Sequence, residues 1–83
     1  GYQVSIGKLD LLEVDFVAQK EDKRIYYQVS VSVLDEKTYE REFAPLKKIN
    51  DSYPKYVLTL DELPMGENGI EQKNIIDFLL EEN

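Results

Sequence analysis

The sequence contains no cysteine, no histidine and no tryptophan. Without cysteine, the chain can form neither a disulfide framework nor a thiolate metal site. Without histidine, it lacks the commonest zinc ligand and the usual general base near neutral pH. The missing cysteines fit a reducing compartment, so we predict a cytoplasmic location. We predict no cofactor and no metal.

Positive charge is also scarce, because ten Lys and Arg face seventeen Asp and Glu and the net charge is −7. Affinity for nucleic acid comes largely from basic residues that displace counterions. An isolated acidic domain is therefore a poor nucleic-acid binder, and a protein is the expected partner. No apolar run approaches the roughly 18 residues of a membrane span, so we expect no membrane association.

What the sequence does contain is period-two alternation over its first third. Tyr2, Val4 and Ile6 share one side of a predicted strand, and a second run covers 12–18. In the third run, residues 25–33, every second side chain is apolar, while Tyr26, Gln28 and Ser30 lie opposite. Alternation marks half-buried strands, and short connections between them predict a three-stranded antiparallel meander.

The period then changes to that of a helix over 35–49. Asp35 is suited to the N-cap, and Pro45 should kink or split the helix. The predicted core stripe consists of Tyr39, Phe43, Leu46 and Ile49. We expect it to pack on the apolar strand face, which carries Val14, Phe16, Val29 and Val31.

A nearly continuous apolar run, YVLTL at 56–60, follows this helix. Such runs suit a parallel strand, joined here by a right-handed crossover. Residues 70–75 predict an edge strand, and Asn74 can cap a terminal helix with Ile75, Ile76, Leu79 and Leu80 on its apolar side. The fold class is therefore α/β (α+β), with residues 1–83 forming a single domain.

One constellation of polar residues could carry chemistry. Glu13 and Asp15 share the polar face of the second strand, and Gln28 and Ser30 share that of the third. The four side chains can converge if the register of the two strands allows it. The alternative is that they are solvated, hydrogen-bonded or packed under a helix.

The runs EVDFV at 13–17 and YYQVS at 26–30 are similar to the D…(D/E)-x-K arrangement of PD-(D/E)XK nucleases. More widely, the chain resembles the C-terminal domain of unknown function that follows an AAA-type ATPase module in many bacterial and archaeal proteins. The segments that carry this second resemblance are GKL at 7–9, EVDFV, REFAPL at 41–46, YPKYV at 53–57 and NIIDFLL at 74–80.

The resemblance implies roles for the four polar residues. Asp15 matches the first metal-binding acid, Gln28 stands in place of the second acid, and Ser30 stands in place of the lysine. A glutamine is a weaker magnesium ligand than a carboxylate, and a serine supplies no positive charge. Glu13 is a possible extra acid. The motif is therefore vestigial, and we predict that this chain is not an enzyme.

The resemblance also implies a restriction-endonuclease-like core lacking its first helix, and an ATPase module upstream. The chain is then expected to be the C-terminal fragment of a longer ATPase-containing protein. One sheet face, which we take as the face of Gln28 and Ser30, would be uncovered and would favour self-association or a protein partner, and Tyr26→Lys should weaken an oligomer formed there. The first functional hypothesis is a non-catalytic interaction or regulatory domain. The alternatives are a metal-dependent nuclease using Glu13 and Asp15, and a domain that only assembles its parent.

Overall fold

The computed structural model describes residues 1–7, 14–63 and 65–81. Within these residues the chain forms a small α+β domain with a five-stranded mixed sheet and two helices. In chain order the elements are β1 (Gln3–Ile6), β2 (Phe16–Lys20), β3 (Lys23–Val29), α1 (Glu36–Lys47), β4 (Lys55–Thr59), β5 (Ile70–Asn74) and α2 (Ile75–Glu81). The α+β class is as predicted. Neither helix in the described part of the chain is long and apolar enough to cross a bilayer.

The strands lie in the sheet in their order along the chain. β1 pairs with β2 and β2 with β3 in antiparallel fashion, whereas β3, β4 and β5 run parallel to one another. A two-residue turn joins β2 to β3 and places Glu21 in the left-handed region, with φ 55°. The longer connection from β3 to β4 contains α1, because parallel neighbours need a crossover.

Helix α1 begins where the sequence places its cap. The Asp35 side chain accepts a hydrogen bond from the backbone N–H of Thr38 at 3.1 Å, which satisfies one free donor of the first turn. The helix runs without interruption through Pro45 to Lys47. The alternative of a split at Pro45 is therefore wrong: the proline removes the one N–H that would have bonded to the Arg41 carbonyl, and the helix continues for two more residues.

The core lies between α1 and one face of the sheet. Phe43 and Leu46 are fully buried, and Tyr39 and Ile49 pack against the cluster at its margin, so the predicted helix stripe is confirmed. The other members of the cluster are Val14, Val17, Tyr26, Val33, Val57 and Ile70. These residues come from four strands, β2 to β5, and two connections, and α1 packs across all of them.

The prediction of which sheet face α1 covers is wrong except at Val14. Phe16 and Val29 are each 39% exposed and Val31 is 75% exposed, whereas Tyr26 and Gln28 are almost completely buried. The alternation was read as apolar against polar, but Tyr26 and Gln28 bury most of their carbon atoms and satisfy their polar atoms by hydrogen bonds.

It follows that the uncovered face is the opposite one from that expected. The face of Gln28 is covered by α1, and the apolar face of Phe16 and Val29 is the exposed one. Substitution Tyr26→Lys would therefore place a charge in the core rather than in an intermolecular contact, so it is not a test of association.

Helix α2 begins as predicted, since the Asn74 side chain accepts hydrogen bonds from the backbone N–H groups of Ile76 and Asp77. It lies on the exposed face of the sheet, where Phe78 meets Tyr27 edge to face with ring centroids 5.6 Å apart. The domain thus has one face covered by α1 and another covered only in part, by α2.

Candidate functional site

Asp15 and Gln28 lie together, an arrangement that the polar pattern allowed only if the strand register permitted it. Asp15 lies one residue before β2, and its backbone N–H donates to Oε1 of Gln28 at 2.7 Å. In return, Oδ2 of Asp15 accepts a hydrogen bond from the backbone N–H of Val29 at 3.0 Å. The two residues therefore link the bend that precedes β2 to the end of β3.

Gln28 uses both ends of its amide group. Its Nε2 donates to the backbone carbonyl of Glu42 in α1 at 3.1 Å, while its Oε1 accepts from Asp15. The residue is only 3% exposed. A carboxylate in the same place could accept from Asp15 but could not donate to Glu42. The amide is thus the side chain that this buried position requires for packing under α1.

Among the described residues, the hydrogen bonds of Ser30 go to Ser32 and Leu58 rather than to Asp15 or Gln28. Its Oγ donates to the carbonyl of Ser32 at 3.0 Å, and its backbone N–H donates to the carbonyl of Leu58. Glu13 lies outside the described residues. Within the parts of the chain that the structure describes, no three acidic or other metal-binding side chains are grouped closely enough to hold an ion.

A second polar cluster, around Lys55, was not found from the sequence. Lys55 is 7% exposed, and its ammonium donates to three acceptors at 2.9 Å each: the carbonyl and Oδ1 of Asp51 and the carbonyl of Tyr53. The hydroxyl of Tyr26 donates to the other oxygen of Asp51 at 2.6 Å. The one signal for this cluster was a lysine at the start of a buried strand. Its three protons all have acceptors, so Lys55 holds the loop before β4 in place.

The pKa shifts in this cluster follow from those contacts. Burial raises the pKa of Asp51, but the hydrogen bonds from Tyr26, Lys55 and the backbone of Tyr53 outweigh it, so the net pKa is lowered. Burial, with the hydrogen bond to Asp51, raises the pKa of Tyr26. The cluster adjoins a groove of about 370 Å³ between the end of α1 and the start of β5. Because its charges are paired within the protein, it offers no free group for catalysis.

Asp61 occupies a similar linking position at the other end of the sheet. It accepts hydrogen bonds from the hydroxyl of Ser32 at 2.7 Å and from the backbone N–H of Val33 at 2.9 Å. The bond from Val33 and that from Ser32 lower the pKa of Asp61. Its backbone carbonyl also accepts from Asn74 at 3.3 Å. Asp61 therefore fastens the segment after β3 to the loop after β4.

The most distinctive surface is the apolar face opposite α1. The strand register places its side chains in rows across the sheet, one of which runs from Ile6 through Phe16 and Tyr27 to Tyr56. A groove of about 350 Å³ opens on this face, and none of the described residues that line it is charged. We call it the apolar groove; it is lined by Tyr2, Val4, Phe16, Ala18, Ile25, Tyr27, Val29, Leu58 and Phe78.

The exposure of this groove is greatest at the β1 edge. Val4 is 65% exposed and Tyr2 is 43% exposed, and Ile6 beside them is 49% exposed. Toward β4, the groove is bounded by Phe78 of α2, which contacts the stacked rings of Tyr27 and Tyr56. The sequence contains the residues of this groove as a regular alternation, but the alternation alone did not show which face stays uncovered.

Comparison with known proteins gives little functional information. No family model matches the chain, and no solved structure matches it significantly. A protein of Haemophilus influenzae, described only as an uncharacterized protein, is 39% identical over 82 residues. That alignment covers 98% of this chain but 20% of the relative, so the chain spans about a fifth of the relative's length.

Proposed function

We propose that this chain is a non-catalytic interaction or regulatory domain of a longer protein, and that it acts through the apolar groove. The observation that carries the proposal is a groove whose described lining residues are uncharged, with the exposed Val4 in it and the exposed Ile6 beside it. Contiguous apolar surface of this kind usually marks a site of protein–protein contact. The Haemophilus influenzae protein is about five times as long as the aligned segment, and this length supports a role within a larger polypeptide.

The longer protein in this proposal is an AAA-type ATP-binding protein. The support is the ordered set of segments that resembles the C-terminal domain of such proteins, from GKL at 7–9 to NIIDFLL at 74–80. In this setting the domain would bind a partner while the ATPase module supplies the energy. The core is related, in the same proposal, to a PD-(D/E)XK nuclease that has lost its chemistry.

The competing function is a metal-dependent nuclease that uses Glu13 and Asp15. Three observations weigh against it. The Asp15 carboxylate accepts a backbone hydrogen bond, the Gln28 amide is engaged on both sides, and the net charge of −7 opposes binding to a polyanion. Ser30, which stands in place of the lysine, brings no positive charge to a reacting phosphate.

Two measurements test the proposal. The first incubates the chain with DNA and RNA in Mg²⁺ or Mn²⁺, beside Asp15→Asn. We expect no cleavage by either protein. Metal-dependent cleavage that is lost in Asp15→Asn would favour the nuclease.

The second measurement is made in the longer protein that carries this domain. Val4→Lys places a charge in the apolar groove, and Val31→Lys is the matched control, because Val31 is exposed but does not line the groove. We expect Val4→Lys to alter ATP hydrolysis or complex assembly and Val31→Lys to leave both unchanged. If the two variants behave alike, the groove is not the functional surface.

A further inference from the structure

Helix α2 is apolar on two sides. Phe78 faces the sheet and packs against Tyr27 and Tyr56. Ile76 and Leu80, which are four residues apart and therefore on one side of the helix, are 58% and 67% exposed. A surface helix normally turns one apolar stripe to the core and a polar face to water. The second stripe, formed by Ile76, Leu79 and Leu80, is therefore an exposed apolar surface in the part of the chain that the structure describes.

The apolar groove next to α2 has the width of one helix. It reaches Leu58 of β4, where α2 bounds it, and its open part lies over β1 to β3. Three neighbouring strands span about 10 Å between the outer two. An α-helix with its side chains is about 10–12 Å across. One helix thus fills the groove beside α2, with Val4 and Phe16 beneath it.

From these two features we infer that the occupant of the groove is α2 of a second copy of this chain. The inference rests on the proposed function and names the partner at the same surface. The groove and the outer stripe of α2 lie on the same face of the domain. A two-fold axis can therefore seat the α2 of each copy in the groove of the other, and one type of contact, made twice, covers both unmet surfaces.

The exposed apolar surface area of the groove region and α2 is consistent with such a dimer. Eight apolar residues of the groove region and the α2 stripe are between 39% and 67% exposed: Tyr2, Val4, Ile6, Phe16, Val29, Ile76, Leu79 and Leu80. With roughly 150–200 Å² for each whole residue, these exposed fractions amount to about 600–800 Å² per copy. Stable complexes bury about 800 Å² per partner, so the exposed apolar surface is large enough for a dimer interface.

Charge gives the association a distinctive salt dependence. The described residues that line the groove are uncharged, and the Lys20 ammonium lies 5.9 Å from the centroid of the Tyr2 ring at the margin. Each copy has a net charge of −7, and the two copies repel one another at low ionic strength. Salt screens this repulsion and leaves the apolar contact. We therefore expect a tighter dimer at about 500 mM than at about 50 mM NaCl, opposite to binding of a basic partner.

Sedimentation equilibrium of the 83-residue chain tests the inference. From roughly 5 to 500 µM, the mass should rise from 9.7 kDa toward twice that value. Val4→Lys, in the groove, and Ile76→Lys, on α2, should each weaken dimerisation at least tenfold. Val31→Lys is the control and should leave it unchanged. Far- and near-UV circular dichroism confirms that each variant is folded.

A mixture of the two variants identifies the helix-in-groove arrangement. The Val4→Lys copy retains a native α2, and the Ile76→Lys copy retains a native groove, so the mixture has one intact contact and should associate more strongly than either variant alone. A monomer at the highest concentration, a dimer insensitive to Ile76→Lys, or no gain on mixing overturns the inference. The proposed function is judged separately, by Val4→Lys in the longer protein.

Discussion

The Gln28 side chain accepts a hydrogen bond from the backbone N–H of Asp15 at 2.7 Å, and the Asp15 carboxylate accepts one from the backbone N–H of Val29 at 3.0 Å. The pair resembles a helix capping box, because each side chain accepts a hydrogen bond from a backbone N–H in the segment of the other residue. It lies where β2 is about to begin and β3 is about to end. Two of the positions that the nuclease-like pattern singles out, Asp15 and Gln28, are thereby used to hold main chain in place.

Restoring an acid at position 28 should damage the fold. In Gln28→Glu, the donor to the Glu42 carbonyl is lost and a charge is buried near Asp15. We expect a loss of about 2–4 kcal/mol in the free energy of unfolding at pH 7. The loss should shrink near pH 4, because the new carboxyl group becomes protonated.

Urea unfolding at the two pH values measures this effect. Gln19→Glu is the matched control, since Gln19 lies on β2 but is exposed. An unfolding free energy of Gln28→Glu equal to that of the wild type at pH 7 would show that the Gln28 amide is not needed.

The stripe of α1 provides a direct test of the core. Phe43 is fully buried and stacks on Tyr39 with ring centroids 4.1 Å apart. Removing its ring in Phe43→Ala leaves a cavity and should lower the free energy of unfolding by about 3–5 kcal/mol. Val31→Ala, at an exposed position, should change it by less than about 0.5 kcal/mol. Chemical denaturation compares the two; a loss below about 1 kcal/mol for Phe43→Ala would place the stripe outside the core.

Asp61 predicts a stability that depends on pH. Its pKa is lowered in the folded state, so its contribution is complete above the unfolded value of about 3.9 and is lost as the pH falls toward the folded pKa. Asp61→Asn should reduce stability at pH 7 and flatten its fall between about pH 5 and pH 3. Thermal unfolding across this range is the measurement. The control, Glu40→Gln on the exposed side of α1, should keep the wild-type slope.

Gly7, which follows β1, lies close to Val14, which precedes β2. A Cβ added there would lie 2.6 Å from the carbonyl oxygen of Val14 and 2.7 Å from its Cγ2. In Gly7→Ala, β1 must therefore move away from Val14, and stability should fall by about 1–3 kcal/mol. Gly1→Ala meets no neighbour within 4 Å and should have no effect. Urea denaturation of both variants decides; equal midpoints would contradict the close approach at Gly7.

The sequence pattern predicted the features that depend on neighbouring residues and did not predict those that depend on contacts between distant segments. The Asp35 and Asn74 caps and the α1 stripe were predictable, because each depends on residues close in sequence. The covered face was not, because Tyr26 and Gln28 count as polar until their partners in other segments are known. The meeting of Asp15 with Gln28 was predicted only as a possibility of register, and the linking roles of Lys55 and Asp61 depend on contacts that no local spacing encodes.

The parallel pairing of β3 with β4 has a consequence for the order of folding. The β2–β3 hairpin closes over a two-residue turn, an event on the scale of about 1–10 µs. The pairing of Tyr26 with Lys55 joins positions 29 residues apart, and it must wait for the intervening chain to form α1 and return. Closing a loop of that length lowers the chain entropy before the native contacts between the strands have formed to offset the loss. The slow step is therefore docking of β4, and a nascent chain that ends before position 55 can form its hairpin but not its core.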